Sequence, residues 1–309
     1  MTRRVGAARQ TIHGKGPAWL LAIALVSIPS RPLGATPGVD GAFDVAVQSR
    51  ALAPGELVIL TVTAEQPPDS VRVRVFRREI PAFKLDDGRW RALVGIDLDQ
   101  RPGRYTATIE AERSAGAERA TKTLVLAVEA RTYPTRRLRV DPGFVNPPPS
   151  QLLRVKEDAA FLHDAYAHTA GLRLWSDPFV RPVPGEANSR FGVRSVFNGE
   201  PRSPHGGADL LSPAGTPIKA PNAGRIVCAR DLFFTGNTVV IDHGVGVFST
   251  LAHLSRMDVR EGEAVTAGQI VGLVGATGRV TGPHLHWALN VWGARVDPMS
   301  VLALIGAKD

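Results

Sequence analysis

Residues 282–291 read Gly-Pro-His-Leu-His-Trp-Ala-Leu-Asn-Val, and from His284 onward the run is strand-like. Alternate side chains of a strand share a face, so His284 and His286 project together and bring two imidazoles into one cleft. Outward from that run, Thr238–Asp242 (TVVID), Val247–Leu251 and Gln269–Val274 are also strand-like, with glycine or proline at nearly every turn. The N-terminal half repeats the pattern. Phe43 to Val47 alternates, Leu57–Thr63 (LVILTVT) is rich in β-branched residues, and Val71–Val75 (VRVRV) alternates strictly. Asp86-Asp87-Gly88 marks a turn, and Tyr105–Ile109 and Thr123–Val128 close the set. Short strands with turn signals between them suggest a β-sandwich of immunoglobulin-like type. The chain therefore reads as mainly β.

Its 309 residues suffice for about two domains, each with its own core. The formal charge is +8, but five of the 37 basic residues lie in 1–35, which has no acidic residue. Segment 36–130 then carries 13 basic and 14 acidic residues, and 175–309 carries 12 and 11. Such balance lacks the electrostatic footprint of a nucleic-acid binder, and no nucleic-acid partner is expected. The single cysteine, Cys228, excludes an intramolecular disulfide and Cys-rich metal sites, and reads as a small buried hydrophobe.

The first 35 residues have the layout of a secretory signal: a basic start, an apolar run from Ala18 to Ile28, then Pro29 and small residues up to Ala35. Eleven apolar residues closed by proline are short of the roughly 20 of a membrane-spanning helix, so no stable span is expected after cleavage. Arg3-Arg4 lacks the apolar residues that usually follow a twin-arginine motif. The expected location is periplasmic or secreted. The expected partition is signal 1–35, sandwich 36–130, connector and helix 131–174, and a second β domain over 175–309. The connector holds Arg131, Arg136, Arg137 and Arg139 and ends in Pro147-Pro148-Pro149, a composition that favours extended chain. An amphipathic helix should follow over Leu152–Thr169, in which His163 and His168 stand without neighbouring ligands. The sandwich segment has no histidine and is expected to be separable from any chemistry.

Four of the eight histidines fall in three short motifs of the last third: Pro204-His205-Gly206-Gly207-Ala208-Asp209, Leu251-Ala252-His253-Leu254, and the His284–His286 pair. A catalytic zinc takes three ligands from His, Asp or Glu and keeps a position open for water. His205, Asp209 and one histidine of the pair supply that set. Two histidines then remain for proton transfer and charge stabilisation, as peptide hydrolysis requires.

Ser189-Arg190-Phe191-Gly192, PHGGADL at 204–210, LAHLS at 251–255 and TGPHLHWAL at 281–289 together resemble the lysostaphin-type (LytM-type) zinc metallopeptidases, over about 185–300. The resemblance implies an antiparallel β peptidase domain with zinc on His205, Asp209 and His286. It implies a catalytic pair of His284, as general base, and His253, as oxyanion stabiliser. The implied activity is endopeptidase cleavage of peptidoglycan cross-links, acting on the peptide stems. Leu251 departs from the family pattern, which often has an aromatic residue there, so a substrate-side contact is in question.

Other readings compete. A metal-free member of the family would instead be a regulator that binds and activates cell-wall amidases or another envelope protein. Degenerate members lack site residues, and all five are present here. Ala220–Val227 and Val259–Gln269 resemble the half-barrels of biotinyl or lipoyl carriers, but no lysine lies between Pro221 and Ala307 to carry the group. Gly272–Gly278 has no Lys-Ser/Thr after it and reads as tight turns rather than a phosphate loop. His243 follows a strand and enters a glycine turn, which favours a structural role.

Overall fold

A computed structural model describes residues 43–113, 118–139, 146–176, 178–189 and 191–306. The expected signal sequence and Arg190 lie outside the described residues. Eight strands form the N-terminal part: β1 (Asp44–Ser49), β2 (Leu57–Thr63), β3 (Ser70–Val75), β4 (Arg78–Pro81), β5 (Phe83–Lys84), β6 (Trp90–Gly95), β7 (Gly103–Arg113) and β8 (Glu118–Val128). They make two antiparallel sheets, β1-β2-β6-β5 and β4-β3-β7-β8.

Two sequence patterns explain how these sheets pack. In β3 the valines 71, 73 and 75 are buried in the core between the sheets. Arg72 and Arg74 lie on its other face, paired with Glu112 at 2.8 Å and Glu79 at 2.9 Å. One wet face gives strict alternation. By contrast, β2 is apolar without interruption over Leu57–Leu60. Val58, Leu60 and Val62 enter the sandwich core, whereas Leu57 and Ile59 enter a second core shared with the C-terminal sheet. A strand buried on both faces has no polar positions to alternate with.

The C-terminal part contains β9 (Thr135–Leu138), β10 (Ala187–Ser189), β11 (Arg194–Phe197), β12 (Glu200–Pro201), β13 (Gly207–Leu210), β14 (Pro217–Lys219) and β15 (Gly224–Leu232). It continues with β16 (Gly236–Asp242), β17 (Val247–Met257), β18 (Ala264–Val265), β19 (Ile270–Val274), β20 (Leu285–Val291) and β21 (Ala294–Val296). The large sheet runs β10-β13-β20-β17-β16-β15-β18, with β19 joining β14 to β17 and β21 beside β20. The connector is not merely extended: β9 pairs in parallel with β11, and β12 completes a three-stranded sheet.

The expected helix forms as α1 (Leu152–Ala167). Its Phe161, Leu162 and Tyr166 pack on Cys228, Leu232, Val240 and Phe248 of the large sheet. Tyr166 and Thr250 share a hydroxyl hydrogen bond of 2.6 Å. Cys228 is fully buried, and burial pushes its thiol up to about 11, so it behaves as the expected hydrophobe. A second helix, α2 (Pro298–Ile305), starts where Asp297 caps the Met299 N–H and Pro298 presets the first turn. No helix of the described residues is long and apolar enough to cross a membrane.

The two parts meet over a polar and apolar junction. Glu56, 1% exposed, accepts from Arg50, Arg131 and the Ser300 hydroxyl, at 2.9, 2.6 and 2.7 Å. Asp97 accepts from the Arg295 guanidinium at 2.7 Å and from its backbone N–H at 2.9 Å. Burial opposes ionisation of Asp97, but the Arg295 bonds outweigh it and hold the carboxyl below its ordinary range. Gly95 has no room for a side chain: a Cβ there would lie 2.6 Å from the Ala294 Cβ.

Candidate metal centre and active site

The site is built by register. Strand β13 runs antiparallel to β20 with Asp209 opposite His286, and β17 flanks the other side of β20 with Ala252 opposite His286. Leu285 and Trp287 are fully buried beneath the sheet, so His284 and His286 share the opposite face, as the alternation predicts. His205 precedes β13, where its backbone N–H donates to Val193 O at 2.9 Å and its carbonyl accepts from Gly192 at 2.8 Å. This loop folds the ring back over Asp209. Gly207 makes the fold-back possible, because a Cβ there would lie 2.5 Å from Trp287 O and 2.9 Å from the His286 ring.

Three side-chain atoms converge. His205 Nε2 lies 2.9 Å from Asp209 Oδ1 and 3.0 Å from His286 Nδ1, and His286 Nδ1 lies 2.9 Å from Asp209 Oδ1. The triangle is close to the roughly 3.3 Å edge of a tetrahedron with 2.0–2.1 Å ligand bonds. Two imidazole nitrogens and one carboxylate oxygen are donors of the type zinc takes, and among the described residues this group can hold a metal ion. Burial alone would oppose ionisation of Asp209, yet hydrogen bonds and charge from His205 and His286 hold its carboxyl well below the usual range. Burial lowers the pKa of His286, which favours the neutral ring a metal ligand needs.

His253 and His284 border the triangle. Their ring centroids are 4.9 Å apart, and His284 Nε2 is 3.6 Å from Asp209 Oδ1. A backbone carbonyl only accepts, so each contact below fixes a tautomer. His284 Nδ1–H donates to Gly282 O at 2.9 Å, and His253 Nδ1–H donates to Thr277 O at 3.0 Å. Each neutral ring therefore carries its lone pair on Nε2. Burial and the neighbouring His286 push His253 down to about 4.

The strand that the sequence pattern gives as Val247–Leu251 is longer: β17 continues through His253 to Met257. The pairing with β16 shifts between Asn237 and Val239, and His253 takes a left-handed φ of 69°. A bulge at this point re-aims the side chain, a use of local strain common at functional sites. The glycine run at 272–278 has a role there. Gly278, with φ of 73°, packs directly on the Gly236 backbone, which seats Thr277 to accept the His253 Nδ1–H hydrogen bond on its carbonyl and the Asn237 N–H on its hydroxyl, both at 3.0 Å.

All five predicted residues thus line one cleft of about 460 Å³. Sequence reasoning missed its other wall. Arg136 and Leu138 of β9, Ser195 and Phe197 of β11, Arg202, Phe234 and Arg279 also line it. The connector arginines were visible as a cluster, but nothing in their spacing signals a parallel pairing. Leu251, in contrast, is fully buried in the core and does not line the cleft. His243 and the isolated His163 and His168 stay outside it as expected.

The description "Peptidase family M23" matches residues 203–298, the span that holds all five residues. The peptidoglycan DD-endopeptidase ShyA of Vibrio cholerae is 45% identical over 151 residues, covering 47% of this chain and 35% of ShyA. The cell division protein DipM of Caulobacter vibrioides is 32% identical over 147 residues, 47% of this chain and 23% of DipM. The chain thus spans about a third or less of these curated relatives. A crystal structure described as an M23 peptidase from Pseudomonas aeruginosa is 31% identical, with a TM-score of 0.64. That likeness covers 82% of this chain and 96% of the other, so it reaches beyond the large sheet into the sandwich. By the matched motif span and this near-complete overlap, the chain belongs to peptidase family M23.

Proposed function

We propose that the protein is a zinc-dependent endopeptidase that hydrolyses peptide cross-links of bacterial peptidoglycan, in the periplasm or outside the cell. The observation that carries this reading is the convergence of His205, Asp209 and His286 beside two further imidazoles that aim Nε2 lone pairs at the same cleft. The likeness to the peptidoglycan DD-endopeptidase ShyA supports the substrate class. The sequence of residues 1–35 supports export.

His205, Asp209 and His286 would hold the zinc. When bound, it supplies Lewis acidity toward a substrate carbonyl and toward water. His284 accepts the proton of the attacking water at Nε2 and returns it to the leaving amine, while Gly282 O keeps the ring oriented. His253 accepts a hydrogen bond and orients water while neutral. It donates to an oxyanion only once protonated at Nε2, because its Nδ1–H is already given to Thr277. The oxyanion role implied by the family resemblance therefore follows proton uptake rather than preceding it.

The regulator reading retains an incomplete site or a closed cleft as its signature, and the full donor set in an open cleft favours the enzyme. The test is zinc analysis of the purified mature chain together with mass spectrometry of digested muropeptides. About one zinc per chain and cleaved cross-links are expected. A zinc-loaded chain that leaves every cross-link intact while stimulating an amidase would overturn the enzyme reading.

A further inference from the structure

We propose that Arg136 and Arg202, with Arg279 beside them, form a carboxylate-binding subsite in the cleft wall. The substrate would then be a cross-link that bears a free carboxylate beside the scissile bond. This deepens the proposed function and rests on it for the bond that is cut. A diamino dicarboxylic acid carries such a carboxylate on the carbon whose amine is acylated; a diamino monocarboxylic acid linked through its side chain, or a glycine bridge, does not.

The three-stranded sheet supplies the geometry. Arg136 of β9 is the register partner of Ser195 on β11, and its Nε–H donates to Ser195 Oγ at 2.8 Å. On the far side of β11, the Arg202 N–H donates to Ser195 O at 2.8 Å. Two arginines thus stand on either side of one serine, Arg136 through its side chain and Arg202 through its backbone, and all three residues line the cleft that holds the histidines.

The partners of Arg136 and Arg202 leave capacity unused. Among the described residues Arg136 makes no ion pair, and its side chain is exposed. Arg202 gives one terminal nitrogen to Glu200 at 2.7 Å, but its Nε is buried with no hydrogen-bond partner. A buried guanidinium N–H without an acceptor carries an unmet desolvation cost. The Arg279 guanidinium stacks on Phe234 at 4.3 Å; burial, and then repulsion from Arg202, lowers its pKa. Among the described residues the single carboxylate lining the cleft, Asp209, is already engaged by His205 and His286. A planar guanidinium recognises a carboxylate through two parallel bonds, which selects geometry as well as charge.

The test uses the mature, zinc-loaded chain and two synthetic cross-linked peptides that differ only in whether the carboxylate beside the scissile bond is free or amidated. Hydrolysis of the free acid should be favoured about 10- to 100-fold in kcat/KM, mainly through KM. Arg136→Gln and Arg202→Gln should each narrow that ratio, with circular dichroism and zinc content verifying the fold. Because Arg136 is exposed, its variant keeps the test valid if Arg202→Gln fails to fold. Equal cleavage of both peptides by the wild type would overturn the subsite and leave the endopeptidase reading standing. If neither peptide is cut, that reading fails, and calorimetric binding of the two peptides decides the subsite. Tighter binding of the free acid upholds it, and equal or absent binding overturns it.

Discussion

The β16–β17 hairpin carries a histidine at each end, and the two differ in what the fold leaves for them to do. At one end His243 is fully buried, with Nδ1 against Ala223 O and Nε2 against the Ser249 hydroxyl, both at 2.8 Å, and its ring edge-on to Phe179. Both nitrogens are used up by the protein. At the other end His253 spends only Nδ1, on Thr277 O, and keeps Nε2 for the cleft. Burial is the leading cause that pushes each ring down to about 4. A shifted pKa therefore does not separate them; the count of unsatisfied nitrogens does. His243, with both nitrogens satisfied, is part of the core, and His253, held by a single carbonyl, keeps one nitrogen available in the cleft.

The largest effect should come from outside the pair and calibrates it. His286→Ala removes one corner of the proposed zinc triangle and should lower metal content and reduce hydrolysis by about 10⁴-fold or more. Full zinc occupancy in this variant, measured by mass spectrometry of the metal, would break the ligand assignment. Next, alanine at each hairpin histidine should give opposite phenotypes. His253→Ala should keep zinc and lose about 10²–10⁴-fold in turnover, with a small change in denaturant midpoint. His243→Ala removes two hydrogen bonds and a packed ring, so it should cost roughly 3–4 kcal/mol of stability while each folded chain still binds zinc and turns over. Turnover lost equally in both would dissolve the contrast.

The smallest effect is the pH dependence. His243 is held near 4 when folded, against 6.5 as an ordinary histidine. The unfolded chain therefore binds more protons between these values. Stability from this group is complete above about pH 6.5, falls as pH drops to about 4, and is flat below, a span of roughly 3 kcal/mol. His253 adds a slope of the same sign. Denaturant titrations from pH 7 to 4 should show the slope reduced, not abolished, in His243→Gln. An unchanged slope would mean the buried ring is protonated in the fold.

Much of this was legible in the chain because periodicity and motif spacing record local constraints. Alternation in VRVRV reported one wet face, and the face shared by His284 and His286 followed from strand geometry alone. The uninterrupted LVIL of β2 also held information, since it marks burial on both sides, but the partner for the second side could not be read from it. That partner is the C-terminal sheet, and the shared core, together with Glu56–Ser300 and Asp97–Arg295, ties the sandwich to it. The expectation that the sandwich is separable missed this junction, because polar contacts between residues some 200 positions or more apart leave no local trace. A fragment starting at Leu152 would also lose β9 and Arg136 from the cleft wall. The bulge at His253 escaped for a related reason: it depends on how Thr277 and Gly278 pack on Gly236 in three dimensions.

Gly207 gives the site a genetic property. Every amino acid other than glycine has a Cβ, and a Cβ at this position would collide with Trp287 O and the His286 ring. Each non-silent single-nucleotide change in a glycine codon yields Ala, Val, Ser, Arg, Asp, Glu, Cys, Trp or a stop. None of these restores the space. One point mutation in that codon would therefore displace the proposed metal ligand without altering any of the five residues proposed for the chemistry, and no second change at the same codon short of reversion would repair it.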